Sequence, residues 1–214
     1  MDAYGAIEPV DMQSMEKVFN ELEHDHRVHI QGAHWASLIN AYGCVQKDLN
    51  KAIELFESIA THPSASLSSV PMPDAVAYEA LVNVLVTHRR MDLVSRYMDR
   101  LRASGIHLTA YIANLLIKGH AAIGDIAQAR VVFESLQDPP QGMAATSNHV
   151  PHEPSVSTPT SGPCLREVLL TSHKDLAFYL SFLQPSTWEA MVRAELGNGN
   201  RRNAVVLLER LQAR

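Results

Sequence analysis

Little in this chain marks a catalyst, a membrane protein or a secreted scaffold. Of its 214 residues only two are cysteines, Cys44 and Cys164. They stand too far apart for a disulfide framework or zinc spacing, a usage that fits a reducing compartment. No apolar run approaches the ~18 residues that a membrane-spanning helix needs, so no membrane is expected as a partner. Charge of one sign is missing as well. Eighteen Lys+Arg against 23 Asp+Glu give a formal net charge of −5, which argues against a chain-wide basic footprint for nucleic acid. The opening Met1–Glu8 is acidic and resembles neither a secretory signal nor an Arg-rich transit peptide.

Catalytic and ligand-binding motifs are equally scarce. There is no Gly-x-Ser-x-Gly elbow, and Cys44 falls in an expected helix without a base beside it. Gly197-Asn-Gly-Asn200 lacks the further glycine, the preceding strand and the Lys-Ser/Thr of a phosphate cradle. Eleven histidines are present, with His24, His26 and His29 close together, yet their spacing matches no zinc pattern and reads as a hydrated loop. His-x-Glu with Pro-Cys-x-x-Cys, the mark of a zinc deaminase, is missing. No enzyme, metal, cofactor or small-molecule substrate is therefore expected.

What the chain does have is a repeat. Leu81-Val82, Val94, Met98 and Leu101 recur as Leu116-Ile117, Ala129, Phe133 and Leu136, each 35 residues later. An outer copy keeps Leu38-Ile39, Ala52, Phe56 and Ile59 with one extra residue in its middle turn, and another keeps Met191-Val192, Ala204, Leu208 and Leu211. Self-similarity at such a period is the signature of a helical solenoid, in which units bury their apolar faces only against their neighbours. With a hydrophobic share of 46% and a charged share of 19%, a buried core is attainable. The expected fold class is all-α, an α-solenoid of stacked helical hairpins interrupted by disordered Ser/Pro-rich insertions.

The pattern divides the chain as follows. Residues 1–31 hold a partial repeat, its second helix only, with Met12, Met15, Val18-Phe19 and Leu22 along one side. Residues 32–73 form a repeat carrying the Ser- and Pro-rich loop 61–73, and 74–109 and 110–137 are two further repeats. Residues 138–164 are rich in Pro, Ser, Thr and Gly without apolar periodicity and read as disordered. Residues 165–184 are more apolar and read as a helical insertion, and 185–214 is the last repeat. Beginning mid-unit and stopping shortly after Leu211, the chain reads as a fragment of a longer protein. Arg89-Arg90, Arg100, Arg102 and Arg201-Arg202 are expected on turns or second helices, keeping the surface soluble.

These residues resemble the pentatricopeptide repeat family, in particular its fungal members with Ser/Pro-rich insertions. The resemblance rests on the 35-residue spacing and on order within the unit: Val76-Ala-Tyr78-Glu-Ala-Leu81-Val82 with Leu101-Arg-Ala-Ser-Gly105-Ile106, and Asn114-Leu-Leu-Ile117 with Gly124-Asp125-Ile126-Ala-Gln-Ala129. The tetratricopeptide repeat is the nearest competitor, and Trp35, Leu38 and Tyr42 match its spacing, but Ile39 stands where its glycine belongs and the clean interval is not 34.

The resemblance implies single-stranded RNA as partner, one base per unit, and a role in organellar (mitochondrial) RNA processing, stability or translation; without it the compartment would read as cytoplasmic. It places base reading at the fifth residue of the first helix and the last residue of the unit, and stacking at the second residue. Carried over, Asn114 would read and Tyr111 would stack in the third repeat, its closing residue displaced to Gln184. Val76, Glu79 and Thr109 hold these roles in the second; Ala33 and Ala36, and Ser186 and Glu189, hold them in the outer copies. Lys118 and Arg193, one turn past the readers, would touch phosphate. Ala36 has nothing to offer a base, and Glu79 and Glu189 set carboxylates beside a phosphate backbone. A protein-interaction scaffold with a tetratricopeptide-like groove and a protein partner is therefore the alternative.

Overall fold

The structure, a computed structural model, describes residues 11–25, 29–63, 73–138 and 182–213. Among them the chain is all-α, built of helical hairpins: α1 (Met12–His24), α2 (Gly32–Asn40), α3 (Leu49–Ser58), α4 (Ala75–Thr87), α5 (Met91–Ala103), α6 (Ala110–Ala122), α7 (Ile126–Ser135), α8 (Pro185–Gly197) and α9 (Arg201–Gln212). Among the described residues α2/α3, α4/α5, α6/α7 and α8/α9 form four hairpins, and α1 precedes them in the place of a second helix. Asp or Thr begins five of the helices, and its side chain accepts a backbone N–H three residues on: Asp11, Asp48, Asp74, Thr109 and Asp125, at 2.9 to 3.3 Å. Each cap satisfies a donor that the first turn would otherwise leave without a partner.

The turns within the hairpins repeat as well. Lys47, Arg89, Gly124 and Gly199 are repeat-equivalent and all left-handed, with φ of 60°, 57°, 82° and 78°. Only glycine enters that region without steric cost. The extra residue of the first copy does not lengthen its turn. It is absorbed as a π-helical turn over Ala41–Val45 at the end of α2, where Gln46 N–H donates to Ala41 C=O at 3.0 Å, five residues back. Single π turns are how helices commonly accommodate one inserted residue.

The described residues fall into two compact units that divide after Ile106. In the first, α2 and α3 both pack against α4; in the second, α6 and α7 both pack against α8. One contact recurs at three steps within the units: a phenylalanine of a second helix meets, edge to face, an aromatic ring of the next first helix. Phe19–Trp35, Phe56–Tyr78 and Phe133–Trp188 all have centroids 4.9 Å apart, a geometry worth about 0.5–1.5 kcal/mol beyond the area it buries. Second helices are also linked. Arg100 bonds Glu57 and lies 5.2 Å over the Tyr97 ring, while the equivalent Arg210 bonds Glu134 at 2.8 Å and lies 5.4 Å over Trp188. Arg100 thus joins neighbouring repeats, beyond the solubilising role expected for it.

Of the expected insertions, 64–72 and 139–181 lie outside the described residues. The last three residues of 165–184 are extended rather than helical. Phe182 bridges Gln137, and Leu183 N–H donates to Gln137 C=O at 2.7 Å, which returns the chain to the end of the third repeat before α8 begins.

Candidate nucleic-acid interface

In the second unit the face shared by α6 and α8 carries the groups best suited to a polar ligand. Asn114 is only 6% exposed. Its Nδ2 donates to Ser186 Oγ at 3.0 Å, and its Oδ1 is buried with no hydrogen-bond partner among the described residues. An unmet buried acceptor costs about 1–3 kcal/mol. Tyr111 stands half-buried one turn before it. Lys118 stands exposed one turn after it, without an ion-pair partner among the described residues; that turn is a rise of about 6 Å.

Lys118 and Arg193 line one cavity of about 410 Å³, whose floor is the small residues Ala121, Ala122, Ala190 and Ala194. Asn198 closes its rim by donating from Nδ2 to Ala194 C=O at 2.9 Å and Ala121 C=O at 3.3 Å. Arg193 is held on its own helix by Glu189, Nε to Oε1 at 2.9 Å. The carboxylate that looked hostile to phosphate is thus neutralised by the cation meant to attract it. Beneath this face, Glu195, 2% exposed, accepts both arms of Arg130 at 2.7 and 2.9 Å. Those hydrogen bonds hold its carboxyl below the ordinary range against the push of burial.

The candidates of the second repeat are placed differently. Val76 is exposed, Glu79 is buried and engaged with neighbours, and Thr109 is fully buried with its hydroxyl given to the N-cap of α6. Gln184 occupies the same N-cap place before α8, so the closing residues of these units also start the next helix. The corresponding cavity of the first unit, also about 410 Å³, is lined by Met15, Ala33, Ala36, Asn40, Val76 and Asn83 among others and has no cation. Asn83 Nδ2 donates to Asn40 Oδ1 at 3.1 Å and to Cys44 Sγ at 3.6 Å; burial pushes that thiol up. Asn40 and Asn83 are repeat-equivalent to Lys118 and Arg193, and sequence reasoning passed them over. The 35-residue alignment was the signal that could have found them.

No group of three or more metal-ligating side chains is gathered among the described residues, and none of the described helices is long and apolar enough to cross a membrane. A family model described as pentatricopeptide repeat-containing protein matches residues 15–136. Pentatricopeptide repeat-containing protein 5, mitochondrial, of Schizosaccharomyces pombe is 26% identical over 213 residues, which are 99% of this chain and 13% of that relative. The chain therefore spans about an eighth of the length of that relative. With the family match covering more than half of the chain, and with helical hairpins recurring beneath it, the chain belongs to the pentatricopeptide repeat family.

Proposed function

We propose that this chain is a non-enzymatic module that binds single-stranded RNA on the α6/α8 face, in the service of mitochondrial RNA processing, stability or translation. The observation that carries the reading is one nucleotide-sized arrangement. A buried amide with an unmet acceptor, Asn114, stands one helical turn from a cavity bordered by Lys118 and Arg193. A base edge offers the missing donor, and its phosphate offers the anion. Family membership and the mitochondrial designation of the relative support the same reading. Tyr111 and Ser186 are the flanks; Val76, Glu79 and Thr109 contribute less, because two of the three are buried.

Fluorescence anisotropy with a randomised single-stranded RNA pool at two salt concentrations tests it. Lys118→Ala is expected to lower the slope of log affinity against log salt by about 0.7, one phosphate contact on a single strand. An unchanged slope would remove Lys118 from the interface. A folded, helical chain that binds no RNA at either salt would sink the proposal. One observation favours a protein partner instead: the first unit's cavity is apolar and amide-lined, without a cation, and suits a side chain of a partner helix better than a phosphate.

A further inference from the structure

We infer that Glu189 is a positioning residue that sets the charge of the α6/α8 cavity. It holds Arg193 in reserve and leaves Lys118 to meet a single phosphodiester. The inference rests on the reading of this face as an RNA-binding surface. Two cations border the cavity, and no carboxylate is among its lining residues. Lys118 has no ion-pair partner among the described residues, so its charge is whole. Arg193 differs. Its Nε donates to Glu189 Oε1 at 2.9 Å, and its Nη2 lies 2.7 Å from the same oxygen. Both side chains are largely exposed, 76% and 62%, so the pair adds little to stability. Its effect is on charge. An acid four residues before a base is the favoured order for such a pair on a helix, and the two cancel as seen from the cavity. One net positive charge is left, that of Lys118, and it matches the one negative charge of a phosphodiester.

Repeat equivalence makes the arrangement particular to α8. Glu189 stands at the place of Ala36, Glu79 and Asn114, and Arg193 at the place of Asn40, Asn83 and Lys118. Glu79 is only 4% exposed and has an amide, not a base, one turn on. Asn114 is neutral and precedes Lys118. Of the four pairs, Glu189 and Arg193 alone set an acid before a base. The place that seats an amide in α6 thus carries a counterion in α8.

The test is the salt dependence of affinity, read by fluorescence anisotropy with the full chain and a randomised single-stranded RNA pool. Glu189→Gln should steepen the slope of log affinity against log salt by about 0.7, the worth of one added phosphate contact on a single strand. Glu189→Gln combined with Arg193→Ala should return the slope to its original value, because the gain belongs to Arg193. Lys118→Ala should lower the slope by about 0.7 whether or not Glu189 is replaced. Circular dichroism should show the same helix content throughout, as expected of exposed positions. A slope that Glu189→Gln leaves unchanged overturns the inference. So does a gain that survives Arg193→Ala, which would make Glu189 a repulsive charge rather than a restraint on its neighbour. A chain that stays helical yet binds no RNA at any salt overturns the proposed function itself, and this inference with it.

Discussion

A single left-handed residue shows how strictly the repeat is imposed. Arg89 adopts φ 57° where its equivalents Gly124 and Gly199 adopt 82° and 78°. A side chain in that region costs about 1–2 kcal/mol, and glycine gives back about half of this through the entropy of the unfolded chain. Arg89→Gly should therefore stabilise the chain by about 0.5–1 kcal/mol, and Gly124→Ala should destabilise it by about 1 kcal/mol. Urea unfolding of the two variants checks both signs at once; an Arg89→Gly that destabilises, or a Gly124→Ala that stabilises, would mean that the turn is not the source of strain. Sequence alone disclosed Gly124 as a turn residue. It placed Arg89 on a turn or second helix but did not disclose its left-handed backbone, because an arginine carries no mark of the conformation it occupies until its equivalents are aligned.

Among the elements, the π turn at the end of α2 has the plainest energetic signature. Gly43 sits in it, and a Cβ there would fall 2.4 Å from both methyl groups of Val84 on α4. The same turn presents the Gly43 carbonyl to His88 Nε2 at 2.8 Å. Gly43→Ala should cost about 1–3 kcal/mol as overpacking, and Gly43→Ala with Val84→Ala should recover part of it in a double-mutant cycle. Full additivity of the two would deny the contact.

Helix boundaries were legible in the sequence because aliphatic residues return at fixed offsets and Asp, Thr and Gly punctuate them. The exposure of the expected base readers was not. α4 and α6 bury most of their length, since a first helix is covered by its own partner and by neighbouring hairpins. A periodic face therefore gives no hint that Glu79 and Thr109 point inward. The ring pairs stayed hidden for a related reason: Phe133 and Trp188 lie 55 positions apart, with a long insertion between them.

For the molecule as a whole, acid is the informative perturbation. Burial pushes the Glu57 carboxyl up, but hydrogen bonds from Arg100 and Tyr97 hold it below its ordinary value, and Arg130 does the same for Glu195. A carboxyl whose folded pKa is depressed adds stability that is complete above the unfolded value of 4.5. That stability is lost as pH falls through the folded value. Burial also holds the His120 imidazole below its ordinary value of 6.5, so the melting temperature should be level above about pH 7, begin to fall as the unfolded imidazole takes up its proton, and fall further below about pH 5. Glu195→Gln should lower it at neutral pH and flatten the acid limb. A variant that keeps the full acid limb would place the responsible carboxylates elsewhere.

The stitch between Gln137 and Leu183 bears on the architecture of the gene as much as on the fold. It ties the two ends of a 43-residue stretch, 139–181, beside one another. The stretch is thus a closed excursion whose length does not enter the register of the repeats. This position is therefore where the coding sequence can gain or lose whole segments, or accept a foreign tag, while the helices on either side keep their stacking.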